Sequence, residues 1–235
     1  GRFTYEIGLG TSELTAQFRD LDLDVALAAY DQEPVTFAAW QRGSLTLRRE
    51  TPRAPITMRA SGVSTALLRA DRVAVTGTWT ATLQNERWFA EHDHRLLDVA
   101  RAYGTVAWPA AEDSTRALLN GPLTLDIADV GAVVSAARRS GINVSESLAG
   151  VTGPADGTLA MSGSIARLVI SGRVESGALA LPTGAPATAL ADIVYDGDTL
   201  RATRFELDTP GLRMSGDASM GMTSGRLTGA FAADA

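Results

Sequence analysis

No cysteine and no lysine occur among the 235 residues, histidine occurs twice, and aromatic residues make up only 6%. Without cysteine there are no disulfide staples, no thiolate nucleophile and no cysteine-ligated metal. With arginine as the only strong base and a formal net charge of −6, no basic stripe is available for nucleic acid. The paired arginines Arg48-Arg49 and Arg138-Arg139 read as solvated faces. No apolar run reaches 18 residues, so no segment reads as a membrane-spanning helix. Gly8-Leu9-Gly10 and the later glycines do not follow the Gly-x-Gly-x-x-Gly spacing, and neither a Gly-Lys-Ser/Thr phosphate loop nor a Gly-x-Ser-x-Gly elbow occurs.

What the chain does have is period-two alternation. From Gly153 onward apolar residues alternate with polar or small ones at Leu159, Met161 and Ile165, at Leu168, Ile170 and Val174, and at Leu179 and Leu181. The pattern returns at Ile193 and Tyr195, Phe205 and Leu207, and Leu212 and Met214. Such alternation gives each strand one apolar and one polar face. Turn-forming clusters such as Asp196-Gly197-Asp198 and Thr209-Pro210-Gly211 separate the runs at hairpin spacing. The expected architecture is an antiparallel meander, since a parallel sheet needs crossover helices.

The first half shares this texture at Leu21-Asp22-Leu23-Asp24-Val25, Leu45-Thr46-Leu47 and Val73-Ala74-Val75, with Trp79 and Leu83 bracketing a Thr/Ala stretch. Two segments there read as short helices. One runs from about Asn85 to Tyr103, with Asn85 as N-cap, Gly104 as stop, and Phe89, Leu96, Ala100 and Tyr103 on one side. The other runs from about Asp129 to Ser140 and ends at Gly141, with Val130, Val133, Val134 and Ala137 as its stripe. The chain therefore divides into residues 1–150, an interrupted β segment with two helices, and residues 151–235, a regular strand segment, with Gly150–Gly157 as the boundary.

The second segment repeats itself. Leu159-Ala160-Met161-Ser162-Gly163 recurs as Leu212-Arg213-Met214-Ser215-Gly216, and Ser171-Gly172-Arg173-Val174 recurs as Ser224-Gly225-Arg226-Leu227, both at an offset of 53 residues. A shared offset points to a duplicated unit, and Leu159 and Leu212 are expected at equivalent places. Two copies are fewer than a free-standing array needs, so the chain reads as part of something longer.

Candidates for chemistry are sparse. Glu91-His92-Asp93-His94 holds both histidines; His-x-His can ligate zinc from a strand, but on a helix positions two apart diverge by about 200°. Carboxylate pairs occur at Asp22 and Asp24, Asp196 and Asp198, and Glu206 and Asp208. The first and last alternate with apolar residues, as on a solvated strand face, and the middle pair lacks the further ligands of a calcium loop. The expectation is no catalytic residue, no metal and no cofactor.

The stretch Gly153-Pro154-Ala155-Asp156-Gly157-Thr158-Leu159-Ala160-Met161-Ser162-Gly163-Ser164-Ile165, followed by Ile170-Ser171-Gly172-Arg173-Val174, resembles the strand phrase of TamB and AsmA-like envelope proteins. The segment Asp129–Ser140 is similar to the short helix that often precedes it there. The resemblance is best over residues 123–231. It implies an elongated, curved antiparallel sheet folded over an apolar groove, in a non-enzymatic protein of the periplasm that serves phospholipid transport and outer-membrane biogenesis. The parent would be anchored in the inner membrane through parts outside this chain, with phospholipid acyl chains and an outer-membrane β-barrel assembly protein as partners. On this reading Leu159, Met161, Ile165, Leu168, Ile170, Val174, Leu179, Leu181, Ile193, Tyr195, Phe205, Leu207, Leu212, Met214 and Leu227 line the groove. Two alternatives remain: a structural or adhesive β-array with a closed core, and an envelope enzyme on a β-sandwich scaffold.

Overall fold

Alternating sequence becomes one continuous sheet. The computed structural model describes residues 2–7, 12–22, 37–49, 57–68, 73–110, 118–139, 144, 148, 150–164, 167–197, 199–221 and 226–234. Its strands are β1 (Arg2–Ile7), β2 (Ser12–Asp22), β3 (Phe37–Arg49), β4 (Thr57–Leu68), β5 (Val73–Gln84), β6 (Arg87–Leu96), β7 (Ala100–Pro109) and β8 (Leu118–Ile127). Helix α1 (Val130–Arg139) follows, and then β9 (Ala155–Ser164), β10 (Arg167–Ala180), β11 (Pro186–Tyr195), β12 (Thr199–Thr209), β13 (Leu212–Gly221) and β14 (Leu227–Asp234). The 14 strands lie in chain order, each antiparallel to its neighbour. The sheet is curved and open. The antiparallel meander expected from alternation is therefore what forms. At the boundary drawn from sequence, β8 pairs with β9 from Leu118↔Ser164 to Ile127↔Ala155, so the hydrogen-bonded sheet runs straight through it.

One expectation is overturned. Residues 85–103 form no helix; they are the turn after β5, then β6, a second turn and the start of β7. Asn85 (φ 49°) and Glu86 (φ 59°) both occupy the left-handed region, as the two central positions of a type I′ hairpin turn require. Asn suits a helix N-cap and a left-handed turn position alike, which is how the sequence misleads. Leu97 (φ 50°) and Asp98 (φ 58°) repeat the device, closed by Val99 N–H donating to Leu96 O at 2.9 Å. Among the described residues there is one helix rather than two.

That helix starts where expected. The Asp129 carboxylate accepts from Gly131 N at 2.9 Å, an N-cap bond, and from Gly153 N at 3.2 Å. Val130 N–H also donates to Gly153 O at 2.8 Å, so the first turn is tied to the bend that leads into β9. Ala136 is the fully buried residue of α1, whereas Val130, Val133, Val134 and Ala137 are half-buried. Ser140 and Gly141 lie outside the described residues.

The repeat resolves into the two hairpins β9–β10 and β13–β14, with β11–β12 between them. Followed through the strand pairings, Met161 and Met214 fall on the same face of the sheet, yet they are not equivalent. Met161 is in register with Met220 and Leu159 with Ala218, six residues along β13 from the repeat partners. Leu212 opens β13 directly after the Pro210-Gly211 turn, while Leu159 is the fifth residue of β9. Ser224 and Gly225 lie outside the described residues.

Gly172 lets β9 and β10 approach closely. Its φ is +151°, and a Cβ there would meet Thr158 O at 2.3 Å and Leu159 Cα at 2.7 Å. Both are backbone atoms that cannot step aside. Gly172→Val should therefore destabilise the chain by about 1–3 kcal/mol, whereas Gly177→Ala, with nothing within 4 Å, should stay within about 0.5 kcal/mol of wild type. Denaturant unfolding of the two variants checks this; equal effects would remove the close-approach argument.

Candidate functional site

Residues paired across antiparallel strands point to the same side of the sheet, so each face can be followed strand by strand. One row runs Trp79–His92–Gly104–Leu123–Leu159–Gly172–Ile193–Ala202–Ala218–Gly229 from β5 to β14. Beside it runs Gly77–His94–Ala102–Leu125–Gly157–Val174–Ala191–Phe205–Gly216–Phe231. On the other side lies Gly121–Met161–Ile170–Tyr195–Leu200–Met220–Leu227. Every one of these positions is on a single face. Nine strand spacings of about 4.8 Å make this strip roughly 43 Å long.

The opposite face is polar. Its row Thr78–Asp93–Tyr103–Thr124–Thr158–Arg173–Asp192–Arg204 carries a bidentate pair between register partners, Arg173 to Asp192 at 2.9 and 3.3 Å. Arg101 makes two 2.9 Å bonds to Asp93 and lies 4.3 Å over the Tyr103 ring. The bonds from Arg101 hold the Asp93 carboxyl below its ordinary range, and Arg173 does the same for Asp192. These pairs are a third or more exposed, so water screens them and they add little to stability.

Most of the groove residues expected from sequence stand on the apolar face: Leu159, Met161, Leu168, Ile170, Val174, Ile193, Tyr195, Phe205, Leu207, Leu212 and Met214. The register position of Leu227 is on that face as well. Leu179 reaches it through an irregularity between Ser176 and Leu179 that puts Leu179 opposite Ala187. Leu181 belongs instead to the turn after β10, its N–H bonded to Ala185 O. Ile165 lies outside the described residues. Leu123, Leu159 and Met161 form a buried cluster, joined by half-buried Val106, Leu125, Ile170 and Ile193. Elsewhere the face stays half-open, with Phe231 50% and Leu212 38% exposed.

Sequence reasoning missed the part of this face on β5–β8. Trp88 and Trp108, register partners, stack there with centroids 5.9 Å apart. The signal existed as Trp88, Ala90, His92, His94 and Leu96 at spacing two, but the helix assignment hid it. Aromatics thus gather on this part of the face.

The same correction moves the histidines. His92 and His94 are on a strand, not a helix, and share the apolar face, their centroids 5.4 Å apart. The helical objection to a joint role disappears. Even so, among the described residues no three His, Cys, Asp or Glu side chains are grouped to hold a metal ion. The carboxylates take structural roles: Asp196 accepts from Thr199 N at 3.0 Å in its turn and pairs with Arg201, and Glu206 pairs with Arg204 at 2.6 Å. Asp208 is exposed opposite Arg213. Asp24 and Asp198 lie outside the described residues.

Comparison of the chain with protein-family models, with curated proteins and with solved structures finds no match.

Burial lowers the pKa of both histidines from the ordinary 6.5; His94 adds repulsion on His92, while Asp93 opposes the shift at each. Because the folded chain resists protonation, the unfolded chain binds the proton first. The stability that neutral histidines contribute is whole above pH 6.5 and declines as pH falls below it. The denaturant midpoint of wild type should therefore drop more between pH 7.5 and 5.5 than that of H92Q/H94Q. Equal drops would show that the rings are not desolvated.

Proposed function

We propose that this chain is a non-enzymatic segment of an envelope protein whose apolar face carries phospholipid acyl chains between the inner and outer membranes. The observation that supports it is the apolar strip itself. It crosses ten successive strands, yet the described residues contain no second sheet to cover it and only one short helix. A sheet with one apolar face must cover that face with another layer or with ligand. Each buried methylene of an acyl chain contributes about 0.8 kcal/mol, so partial contact along the strip suffices to hold a lipid. Ionisable anchors are almost absent from it, which lets a lipid slide. The strip is longer than one leaflet's hydrocarbon, about half of the roughly 30 Å bilayer core. Periplasmic location, an inner-membrane anchor outside this chain, and an outer-membrane β-barrel assembly partner belong to the same proposal and rest on the strand phrase of residues 153–174.

One observation favours a second reading. Leu123, Leu159 and Met161 are only 7–8% exposed, as in a closed array that works as a stalk. The two readings differ in whether the face admits a ligand.

Side-chain direction reverses with each residue along a strand, and this separates Met214 from Arg213. A carboxylate facing an acyl chain carries a desolvation penalty of several kcal/mol if unrelieved. Ile170→Asp and Met214→Asp should impair lipid uptake in folded protein, while Arg213→Asp, on the polar face, should leave it near wild type. A photo-crosslinker at position 214 should capture phospholipid in cells and one at 213 should not. Capture at neither, or equally at both, would favour the closed stalk.

A further inference from the structure

Among the described strand residues of β5–β14, the apolar face carries three ionisable side chains: His92, His94 and Tyr195. Tyr195 is already satisfied, its hydroxyl donating to Gly197 O at 2.9 Å. Ser176, the buried polar side chain farther along, donates to Pro154 O. His92 differs. Its Nε2 is the one buried side-chain nitrogen or oxygen among the described residues without a hydrogen-bond partner. Such an atom is costly and calls for an explanation. Both histidines of the chain meet at this point.

The surroundings make the pair a polar island. In register with them, β5 presents Gly77 and Trp79, and β7 presents Ala102 and Gly104, none of them charged. A Cβ at Gly77 would lie 2.4 Å from His94 Cδ2, so the imidazole rests on the space that this glycine leaves. The nearby charges all belong to the other face: Asp93 is engaged by Arg101, and Glu91 and Arg95 share its side of β6. No carboxylate on the apolar face competes for the rings.

We propose that His92 and His94 form an anchor for the anionic phosphate of an amphiphile whose acyl chain lies along the apolar strip. This rests on the lipid-carrying reading above. Phosphate supplies negatively charged acceptor oxygens, which both satisfy the orphaned Nε2 and favour a proton on the rings. On binding, an imidazole takes a proton from solvent and donates a charge-assisted N–H···O bond, stronger than its neutral counterpart. No bond within the ligand breaks. Release follows when the proton returns to solvent, so the anchor holds without trapping.

Calorimetric titration of the whole chain with three probes separates the ideas: 1-oleoyl lysophosphatidate, the uncharged monoolein, and inorganic phosphate. Lysophosphatidate should bind wild type about tenfold or more tighter than H92Q/H94Q, with net proton uptake near pH 7, read from buffer dependence, in wild type alone. Monoolein should bind both proteins equally, which also shows that the variant is folded. Inorganic phosphate should give no histidine-dependent binding, because it lacks the acyl chain. Equal lysophosphatidate affinity and proton exchange in the two proteins would overturn the anchor. So would inorganic phosphate binding as tightly as lysophosphatidate, which would indicate an anion site unconnected with lipid. Failure of monoolein to bind wild type would instead defeat the lipid-carrying strip.

Discussion

Register between neighbouring antiparallel strands is the constraint on which the rest of this molecule depends. Side chains alternate with a period of two, so one correct pairing fixes which face every other residue in that strand joins. A slip by a single residue at β9–β10 would send Leu159, Met161 and Gly157 to the polar side and bring Asp156 and Thr158 to the apolar one. The β9 burial pattern, buried and exposed in strict alternation from Ala155 to Ser162, shows how completely the register separates the two. Small corrections keep the faces in phase. Shifts at Ser176/Leu179, Asp192/Ile193 and Ala202/Phe205 absorb extra residues without exchanging the faces.

With register set, the two faces have unequal tasks. The polar face carries cross-strand pairs such as Arg173–Asp192 and Arg101–Asp93, whose bidentate geometry specifies partner more than it adds stability. The apolar face carries the burial that stabilises the fold, densest at Leu123, Leu159 and Met161. Toward β14 that burial thins, and Phe231 packs edge-on against Phe205 while remaining half exposed. Glycines such as Gly172 and Gly216 sit where a neighbouring strand's backbone comes too near for any Cβ. An open strip and a tight hydrogen-bonded scaffold therefore coexist.

The histidines show how a local error spreads. Asn85 as an N-cap and the spacing of Phe89, Leu96, Ala100 and Tyr103 made a consistent helix on paper. A residue tolerant of φ > 0 serves a type I′ turn equally well, and the β-branched and aromatic content of Thr105, Val106 and Trp108 supports strands. Once 85–103 is a hairpin, two side chains read as diverging become neighbours on the apolar face.

Much was legible in the residues alone. Period-two alternation determined a β-rich antiparallel meander and the apolar face of β9–β13, and an apolar stripe at helical spacing determined the short helix that forms at Val130–Arg139, because each follows from the direction of a side chain relative to its own backbone. The left-handed turns at Asn85-Glu86 and Leu97-Asp98 and the six-residue displacement between the repeats were decided only by tertiary structure. These depend on which residues of neighbouring strands face one another, and that register leaves no local trace in either strand. The burial of Ala136 in place of the expected valine stripe has the same origin: what a helix face covers is set by the neighbour it meets.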